Sequence, residues 1–316
     1  MIKLNKKKIT LIITVLLIAI IAATYPLSNV EKNISNNAFR KKTGGNFIQL
    51  SNGYTHYQSN NKDQNKTVLL VHGFSVAMYD WDEQYLFLSD HGFNVIRYDH
   101  FGRGFSDRPR EEYSQKFYCR QINELMDLLK ITSPFYIIGH SMGGGIAAAY
   151  TADNPDRVKK IILVSPIVDE SKNNFKITLI KTPVIGPYLT RLILRKNLIK
   201  RAEELFDEAS TPNKKLYINF FKKQFSIKGT EWAIRSLFKH DGLGSYEESY
   251  NKINSLNKPT ILIYGDADKS VSLKNLGAIQ KMIPSIKTVV LKGIGHMPTM
   301  QDSEKLNAII LAQLSE

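Results

Sequence analysis

A serine framed by glycines is the clearest chemical signal in this sequence. Residues 139–143 read Gly-His-Ser-Met-Gly and fit the pattern G-x-S-x-G, after a short apolar run and before a helical pattern. The glycines remove side chains that would block a tight strand-to-helix turn, and such a turn would hold Ser141 in a strained conformation with its hydroxyl exposed. Ser141 is therefore the candidate nucleophile. A phosphate-binding turn is the alternative, but neither G-x-G-x-x-G nor G-x-x-x-x-G-K-S/T occurs here.

Two loops late in the sequence carry the acid and the base that such a serine needs. A serine hydroxyl is a weak nucleophile near neutral pH, so a base must take its proton and a carboxylate must orient that base. Residues 265–268 read Gly-Asp-Ala-Asp and residues 293–296 read Gly-Ile-Gly-His, each after an apolar run. His296 is the only histidine in the last 76 residues, which makes it the predicted base.

The first of these loops offers two candidate acids, Asp266 and Asp268. Asp266 directly follows Gly265, and a carboxylate so close to a strand end more often caps the turn than reaches into a site. We therefore predict that Asp268 is the acid and that Asp266 has a structural or supporting role. Asp169, after an earlier apolar run, is a third and weaker candidate. The alternative for all three is a solvated loop aspartate.

Backbone N–H groups near the serine are predicted to bind a developing oxyanion. Residues 72–75 read His-Gly-Phe-Ser, and the glycine lets this backbone come close. The N–H groups of Phe74 and of Met142, at the start of the helix, are the two predicted donors. His72 precedes the glycine turn and is predicted to be structural, as are His56, His91, His100, His240 and His140, the last of which adjoins Ser141. No H-E-x-x-H spacing supports a zinc hydrolase, and no cofactor is predicted.

Six short apolar runs and three helical patterns must position these residues. Strands of a parallel sheet that helices cover on both faces are mainly apolar along their length, as these runs are. The runs span 67–71, 94–98, 135–138, 160–164, 260–264 and 287–291, and helical spacing covers 115–129, 144–153 and 303–314. The alternation predicts a doubly wound, mostly parallel α/β sheet with right-handed crossovers. The carboxyl ends of its strands would bring the candidate residues together.

The alternation breaks over residues 167–251, which predict a helical cap over the strand ends. Residues 166–250 hold 15 basic and 10 acidic residues, a net charge of +5. An apolar series within 175–194 is bordered by lysines and arginines. A basic, apolar cap could meet acyl lipids at an anionic membrane surface. Packing of the same apolar residues onto the core is an equally good interpretation.

The N-terminus has the order of a membrane-targeting segment. Lys3 and the three lysines at 6–8 precede fifteen residues, 9–23, that carry no charge. Extension to Leu27 approaches the roughly 20 apolar residues that a membrane-spanning helix needs. The positive-inside tendency predicts a single-pass protein of the cell membrane with its main domain outside the cytoplasm. Signal cleavage would instead release a secreted or periplasmic protein.

The composition is that of a globular protein and excludes a disordered or collagen-like chain. We divide the 316 residues into a signal peptide or anchor at 1–27, a polar spacer at 28–46 and a main domain at 47–316. The first two segments hold +7 of the net charge of +14, so the main domain is too weakly basic to indicate nucleic-acid binding. The single cysteine, Cys119, excludes an intrachain disulfide.

Taken together, these motifs resemble those of the α/β-hydrolase-fold serine hydrolases. The matching segments are 72–74, 99–106, 139–144, 265–268 and 293–296, and the resemblance covers the chain from about residue 47. It implies the α/β-hydrolase fold, an acid three residues after the glycine at Asp268, and a structural role for the D-x-x-G-x-G-x-S segment at 99–106. Epoxide hydrolases and haloalkane dehalogenases share the other motifs but use an aspartate where this chain has Ser141.

The predicted activity is hydrolysis of carboxylic esters through an acyl-enzyme. The resemblance extends to monoacylglycerol lipases and lysophospholipases, so a small-molecule or lipid ester is the expected substrate. It also extends to carbon-carbon bond hydrolases, which remain an alternative, as does a non-catalytic binding protein on the same fold. The membrane is an expected partner through the N-terminal segment, and the sequence leaves the oligomeric state open.

Overall fold

The computed structural model describes residues 5–43, 45–74, 76–169, 175–207 and 213–315. Parts of three predicted features lie outside these ranges. They are Lys3 of the basic N-terminus, Ser75 of the glycine loop, and residues 170–174 and 208–212 of the cap.

An eight-stranded sheet forms the centre of the fold. Its strands are β1 (Asn46–Leu50), β2 (Gly53–Ser59), β3 (Thr67–Val71), β4 (Asn94–Tyr98), β5 (Phe135–His140), β6 (Val158–Val164), β7 (Thr260–Gly265) and β8 (Lys287–Leu291). Their order across the sheet is β1-β2-β4-β3-β5-β6-β7-β8. β1 and β2 form an antiparallel hairpin, β2 pairs antiparallel with β4, and every other neighbouring pair is parallel. The predicted mostly parallel sheet is confirmed.

The described helices include those that cover both faces of this sheet, those of the cap and those of the N-terminal segment. They are α1 (Lys6–Leu27), α2 (Asn37–Thr43), α3 (Asp82–Asp90), α4 (Gln115–Leu128), α5 (Met142–Asp153), α6 (Phe175–Lys181), α7 (Ile185–Leu189), α8 (Arg195–Asp207), α9 (Lys214–Gln224), α10 (Thr230–Lys239), α11 (Glu247–Ser255), α12 (Leu273–Met282), α13 (Pro298–Gln301) and α14 (Ser303–Ser315). One core cluster joins the sheet to α4, α5, α11 and α12, and a second joins it to α3 and α14. The central strands are buried on both faces, which is why they read as continuous apolar runs.

The cap consists of α6 to α10, with a π-helical turn at Thr190–Leu194 between α7 and α8. Its own apolar cluster joins Phe206 and Tyr217 of the cap to Val76 and Met297 of the loops at the strand ends. α11 packs on α5 and α12 of the main body, so the expected end of the cap at residue 251 falls inside a helix of the main body.

The N-terminal helix α1 is long and apolar enough to cross a membrane, and no part of its apolar window is buried within the described structure. A signal sequence near an N-terminus would meet the same criteria. After α1, the chain lies along the cap rather than away from it. The backbone of Asn33 bridges that of Ile227, and the Arg40 guanidinium pairs with the Asp107 carboxylate at 2.9 Å.

Four contacts fix the end of α1 and the following segment on the cap. Nη1 of Arg191 donates to the backbone oxygen of Tyr25, whose ring lies 4.4 Å from that of Tyr188 between centroids. The Glu31 carboxylate accepts the backbone N–H groups of Gly229 and Glu231, at 3.0 and 2.7 Å. Glu31 therefore satisfies donors at the N-terminus of α10, where the helix dipole favours a negative charge.

Candidate active site

Ser141 lies in the turn between β5 and α5, with backbone angles φ 54° and ψ −118°. A positive φ is strained for a residue with a side chain, at a cost of about 1 to 3 kcal/mol, and the glycines on either side explain how the turn closes. A Cβ on Gly139 would lie 2.3 Å from the Gly143 oxygen, and one on Gly143 would lie 2.2 Å from the Val71 oxygen. The Ser141 N–H donates to the Val164 oxygen of β6 at 2.9 Å, which ties the turn to the sheet.

Three side chains from three loops are hydrogen-bonded in series at this turn. The Ser141 hydroxyl donates to Nε2 of His296 at 3.0 Å, and Nδ1 of His296 donates to Oδ2 of Asp268 at 2.8 Å. All three residues are less than one-tenth exposed. β3, β5, β7 and β8 are parallel, so the loops after their carboxyl ends meet at one edge of the sheet.

The other two candidate acids lie elsewhere. Oδ1 of Asp266 accepts the Gly293 N–H at 2.6 Å, and Asp266 is exposed, so it ties together the two loops that carry Asp268 and His296. Asp169 forms a backbone bridge with Ser245. Neither nitrogen of the His296 ring is bonded to Asp266 or Asp169.

The environment of Asp268 and His296 favours an ionised acid beside a neutral base. Burial by itself would raise the pKa of Asp268, but the hydrogen bonds from His296 and from the N–H groups of Val271 and Ser270 outweigh it, so the pKa is lowered. Burial lowers the pKa of His296 despite the opposing hydrogen bond to Asp268. At neutral pH His296 is thus in the form that can accept a proton.

Two backbone N–H groups beside Ser141 are free. In the part of the chain that the structure describes, neither the Phe74 N–H nor the Met142 N–H has a hydrogen-bond partner. Gly73 brings its loop close to the serine, because a Cβ there would lie 3.2 Å from the Ser141 Cβ. Buried backbone donors are nearly always paired, so free donors next to a strained serine form a place for an anionic oxygen.

A second buried pair, His140 and Asp80, lies directly behind His296. Nδ1 of His140 is 2.7 Å from Oδ2 of Asp80, and Nε2 of His140 is 2.8 Å from the backbone oxygen of His296. Both partners accept, so both ring nitrogens carry a proton and the imidazole is positively charged. Burial opposes this charge, but the Asp80 carboxylate outweighs it and raises the pKa of His140. The pair holds the backbone of His296, the candidate base, and Thr299 donates to Oδ1 of Asp80 at 2.9 Å.

The remaining motif residues have structural contacts. Oδ1 and Oδ2 of Asp99 accept the N–H groups of Met78 and Phe105, each at 2.8 Å. Nε2 of His72 accepts the His100 N–H at 3.0 Å, and Nδ1 of His72 donates to the Gly73 oxygen at 2.7 Å. These contacts agree with the structural interpretation of the loops at 72–74 and 99–106.

A cavity of about 300 Å³ opens over Ser141 and is lined mainly by apolar side chains of the cap and the strand-end loops. The cap contributes Ile177, Ile180, Leu194, Leu198, Leu205 and Phe238. A larger cavity, of about 510 Å³, lies where the N-terminal segment meets the cap, but none of the candidate residues lines it. The smaller, apolar cavity is therefore the candidate substrate pocket.

A family model described as the alpha/beta hydrolase fold matches residues 66–303, and the chain belongs to this family of hydrolases. "Lipase 3" of Moraxella sp. (strain TA144) is 23% identical over 252 residues, which cover 78% of this chain and 76% of that protein. A non-heme chloroperoxidase of Streptomyces lividans is 38% identical over 111 residues, but these cover only 34% of this chain and 40% of that protein. The bromoperoxidase structure from Bacillus anthracis superposes with a TM-score of 0.71 at 20% identity, over 86% of this chain and 100% of that one. The resemblance predicted from the motifs is confirmed at the level of fold and enzyme class.

The structure brings together all five residues that the sequence pointed to, namely Phe74, Ser141, Met142, Asp268 and His296. Two features escaped the sequence-based interpretation. Asp80 lies in a short 3₁₀ helix, Met78–Trp81, after β3, and no local sequence pattern distinguishes a buried aspartate there from a solvated one. His140 was predicted to be structural without a partner being named; its position inside the glycine pentapeptide was the available signal.

Proposed function

We propose that this hydrolase cleaves carboxylic esters through a covalent acyl-enzyme formed on Ser141. The observation that carries the proposal is the 3.0 Å hydrogen bond from the Ser141 hydroxyl to a His296 ring whose other nitrogen is bonded to Asp268. A serine near an imidazole of lowered pKa becomes nucleophilic at neutral pH, because the imidazole takes the proton as the hydroxyl attacks.

In this mechanism Oγ of Ser141 forms a bond to the ester carbonyl carbon while Nε2 of His296 takes the hydroxyl proton. The carbonyl oxygen becomes an oxyanion that the N–H groups of Phe74 and Met142 bind. The bond from carbon to the leaving oxygen then breaks, and His296 gives its proton to that oxygen. Water repeats the sequence on the acyl-enzyme and releases the acid. Asp268 keeps the imidazole oriented and stabilises its charge.

The apolar lining of the 300 Å³ cavity supports an acyl group of hydrocarbon character. The resemblance to a protein named a lipase agrees with this choice. Some relatives are named haloperoxidases. Within this proposal Ser141 would remain the nucleophile of the enzyme, and a peroxide would replace water as the acceptor of the acyl group. A carbon-carbon bond hydrolase would use the same serine with a different leaving atom.

A fluorophosphonate probe tests the nucleophile directly. We expect labelling of the wild type and none of Ser141→Ala, with a nearby serine outside the hydrogen-bonded series, Ser270→Ala, as the matched control that still reacts. Equal labelling of wild type and Ser141→Ala would refute the assignment. A wild type that neither labels nor hydrolyses p-nitrophenyl esters of any chain length would instead favour a non-catalytic binding protein.

We further propose that α1 anchors the protein in the cell membrane, with the hydrolase domain outside the cytoplasm. Its length, its apolar composition and the lysines before it support this topology. Membrane fractions washed with alkaline carbonate should retain the full-length chain. Recovery of a shorter chain in the soluble fraction would show a cleaved signal instead.

A further inference from the structure

A further cavity, of about 390 Å³, is lined by His296 together with residues of the cap. α8 of the cap and the loop between β7 and α12 form its walls. This cavity and the apolar cavity over Ser141 share Arg201, Leu205, Ser270 and His296, so they adjoin at the candidate base. We call this cavity of about 390 Å³ the basic vestibule.

Cations dominate the basic vestibule. Lys200, Arg201 and Lys269 line it, and all three are exposed, whereas Glu204 is its single acidic residue. Lys200 pairs with Glu204 at 3.8 Å. Among the described residues, Arg201 and Lys269 have no carboxylate within 4.0 Å. Two cations without a counter-ion therefore stand beside the base.

The order of the chemistry decides which part of an ester would reach these cations. The carbonyl oxygen must point toward the N–H groups of Phe74 and Met142, which lie on the apolar side. The leaving oxygen must lie next to Nε2 of His296, because that atom gives it the proton. An acyl chain in the apolar cavity therefore directs the alcohol part of the ester past His296 into the basic vestibule.

We propose that the basic vestibule is an anion subsite for the leaving alcohol, so that the preferred substrates are acyl esters whose alcohol carries a phosphate or a carboxylate. This inference rests on the proposed ester hydrolysis and specifies its substrate class. The guanidinium of Arg201 can bind either anion through two parallel N–H groups, and Lys269 adds a point charge from the opposite wall. The leaving alcohol departs with its anion and with the proton from His296, so no further reactant is needed.

Two matched ester pairs test the subsite. Hexanoyl glycerol phosphate is compared with hexanoyl glycerol, and hexanoyl glycolate with hexanoyl glycolamide, so that the acyl chain is constant and the chain is too short to favour a lipid surface. The measured quantity is the ratio of kcat/KM for the charged and the neutral ester. A salt-screened contact with two cations predicts a ratio of about 10 at low salt, mainly through KM, and a fall toward 1 as NaCl rises from about 0.05 to about 0.5 M. The phosphate and carboxylate pairs show which anion the subsite prefers.

The double variant Arg201→Gln/Lys269→Gln should lower this ratio to about 1 to 3 for the preferred pair. Arg120→Gln/Lys281→Gln removes the same charge from two exposed residues that line none of the cavities described above, and it should keep the wild-type ratio. If the double variant does not fold, the salt dependence of the wild-type kcat/KM ratio still tests whether the subsite binds an anion.

Three results would overturn the subsite. They are a wild-type ratio of 1 or less for both pairs, a ratio that does not respond to salt, and an equal loss of the ratio in the control variant. Failure of the ester hydrolase proposal looks different, because all four esters would be inert and the fluorophosphonate probe would not react.

Discussion

Replacement of Asp268 by asparagine tests the orientation of the base without removing the side chain. Oδ1 of Asp268 accepts the N–H groups of Ser270 and Val271, at 2.7 and 2.9 Å. An asparagine must place its amide oxygen there, because its NH₂ group would face two donors. The NH₂ group then faces Nδ1 of His296 and donates to it. The imidazole proton is forced onto Nε2, which faces the hydroxyl of Ser141 and can no longer take its proton.

The expected loss follows from this exchange of tautomers. General base catalysis contributes about 10²- to 10⁴-fold, and the variant also loses the carboxylate that stabilises the imidazolium. We expect kcat to fall about 10³- to 10⁴-fold, which corresponds to about 4 to 5.5 kcal/mol in activation free energy. Both backbone hydrogen bonds survive, so the free energy of unfolding should fall by only about 1 to 2 kcal/mol.

Steady-state hydrolysis of p-nitrophenyl butyrate measures kcat, and thermal unfolding followed by circular dichroism checks that each variant folds. Asp266→Asn is the matched control. Its amide oxygen can still accept the Gly293 N–H from an exposed position, so kcat should remain within about threefold of wild type. A larger loss in Asp266→Asn than in Asp268→Asn would refute the reasoning, as would retention of more than about one-tenth of kcat in Asp268→Asn.

Three further predictions concern stability. Burial lowers the pKa of His72 and His100, so the folded state binds fewer protons at these two sites. Their contribution to stability is complete above about pH 6.5 and should fall on acidification by up to about 1.4 kcal/mol per pH unit for each histidine. His140, whose pKa is raised, acts in the opposite direction but is a single group, so the protein should unfold at a lower urea concentration at about pH 5 than at about pH 7.5, and identical unfolding would contradict this. In Gly143→Ala the new Cβ would lie 2.2 Å from a backbone oxygen of β3, so this variant should not be expressed as soluble protein. In Gly277→Ala no atom lies within 4 Å of the new Cβ, so this control should raise the free energy of unfolding by about 0.5 to 1 kcal/mol. Glu31→Ala leaves two N–H groups at the start of α10 unpaired and should lower the free energy of unfolding by about 1 to 2 kcal/mol in urea titration; an unchanged midpoint would contradict the capping contact.

The six strands that cross the centre and one side of the sheet were predictable because each is a short, continuous apolar run. Their bounds differ from the expectation by two residues at most: β5 extends to His140, and β6 begins at Val158. The β1–β2 hairpin was not predicted. It lies at the edge of the sheet, where most of its residues are exposed or half-buried, so no continuous apolar run marks it. α12 escaped for a similar reason, since Ile279 is its one buried residue.

The candidate site was predictable to the extent that it depends on the topology of a parallel sheet. Ser141, Asp268 and His296 each follow an apolar run, and parallel strands bring such positions to one edge whatever the loops do. The choice between Asp266 and Asp268 depends instead on loop geometry. The position of Asp266 directly after Gly265 favoured Asp268 but could not decide between them. Asp80 could not be singled out from the sequence because its partners are distant along the chain; His140 is 60 residues away.

The N-terminal segment shows where composition misleads. Residues 28–46 have the Asn, Ser, Lys and Gly content of a flexible spacer. Glu31 nevertheless accepts N–H groups at the N-terminus of α10, and the backbone oxygen of Ser28 accepts a hydrogen bond from Arg195 of α8 at 3.2 Å. α8 also carries Arg201 and two apolar side chains of the cavity over Ser141, Leu198 and Leu205. If α1 lies in the membrane as proposed, α8 is hydrogen-bonded to Ser28, the first residue after the anchor. The same helix lines the cavity over Ser141 and the basic vestibule. The distance between the active site and the bilayer is then set by folded contacts rather than by the length of a loose linker.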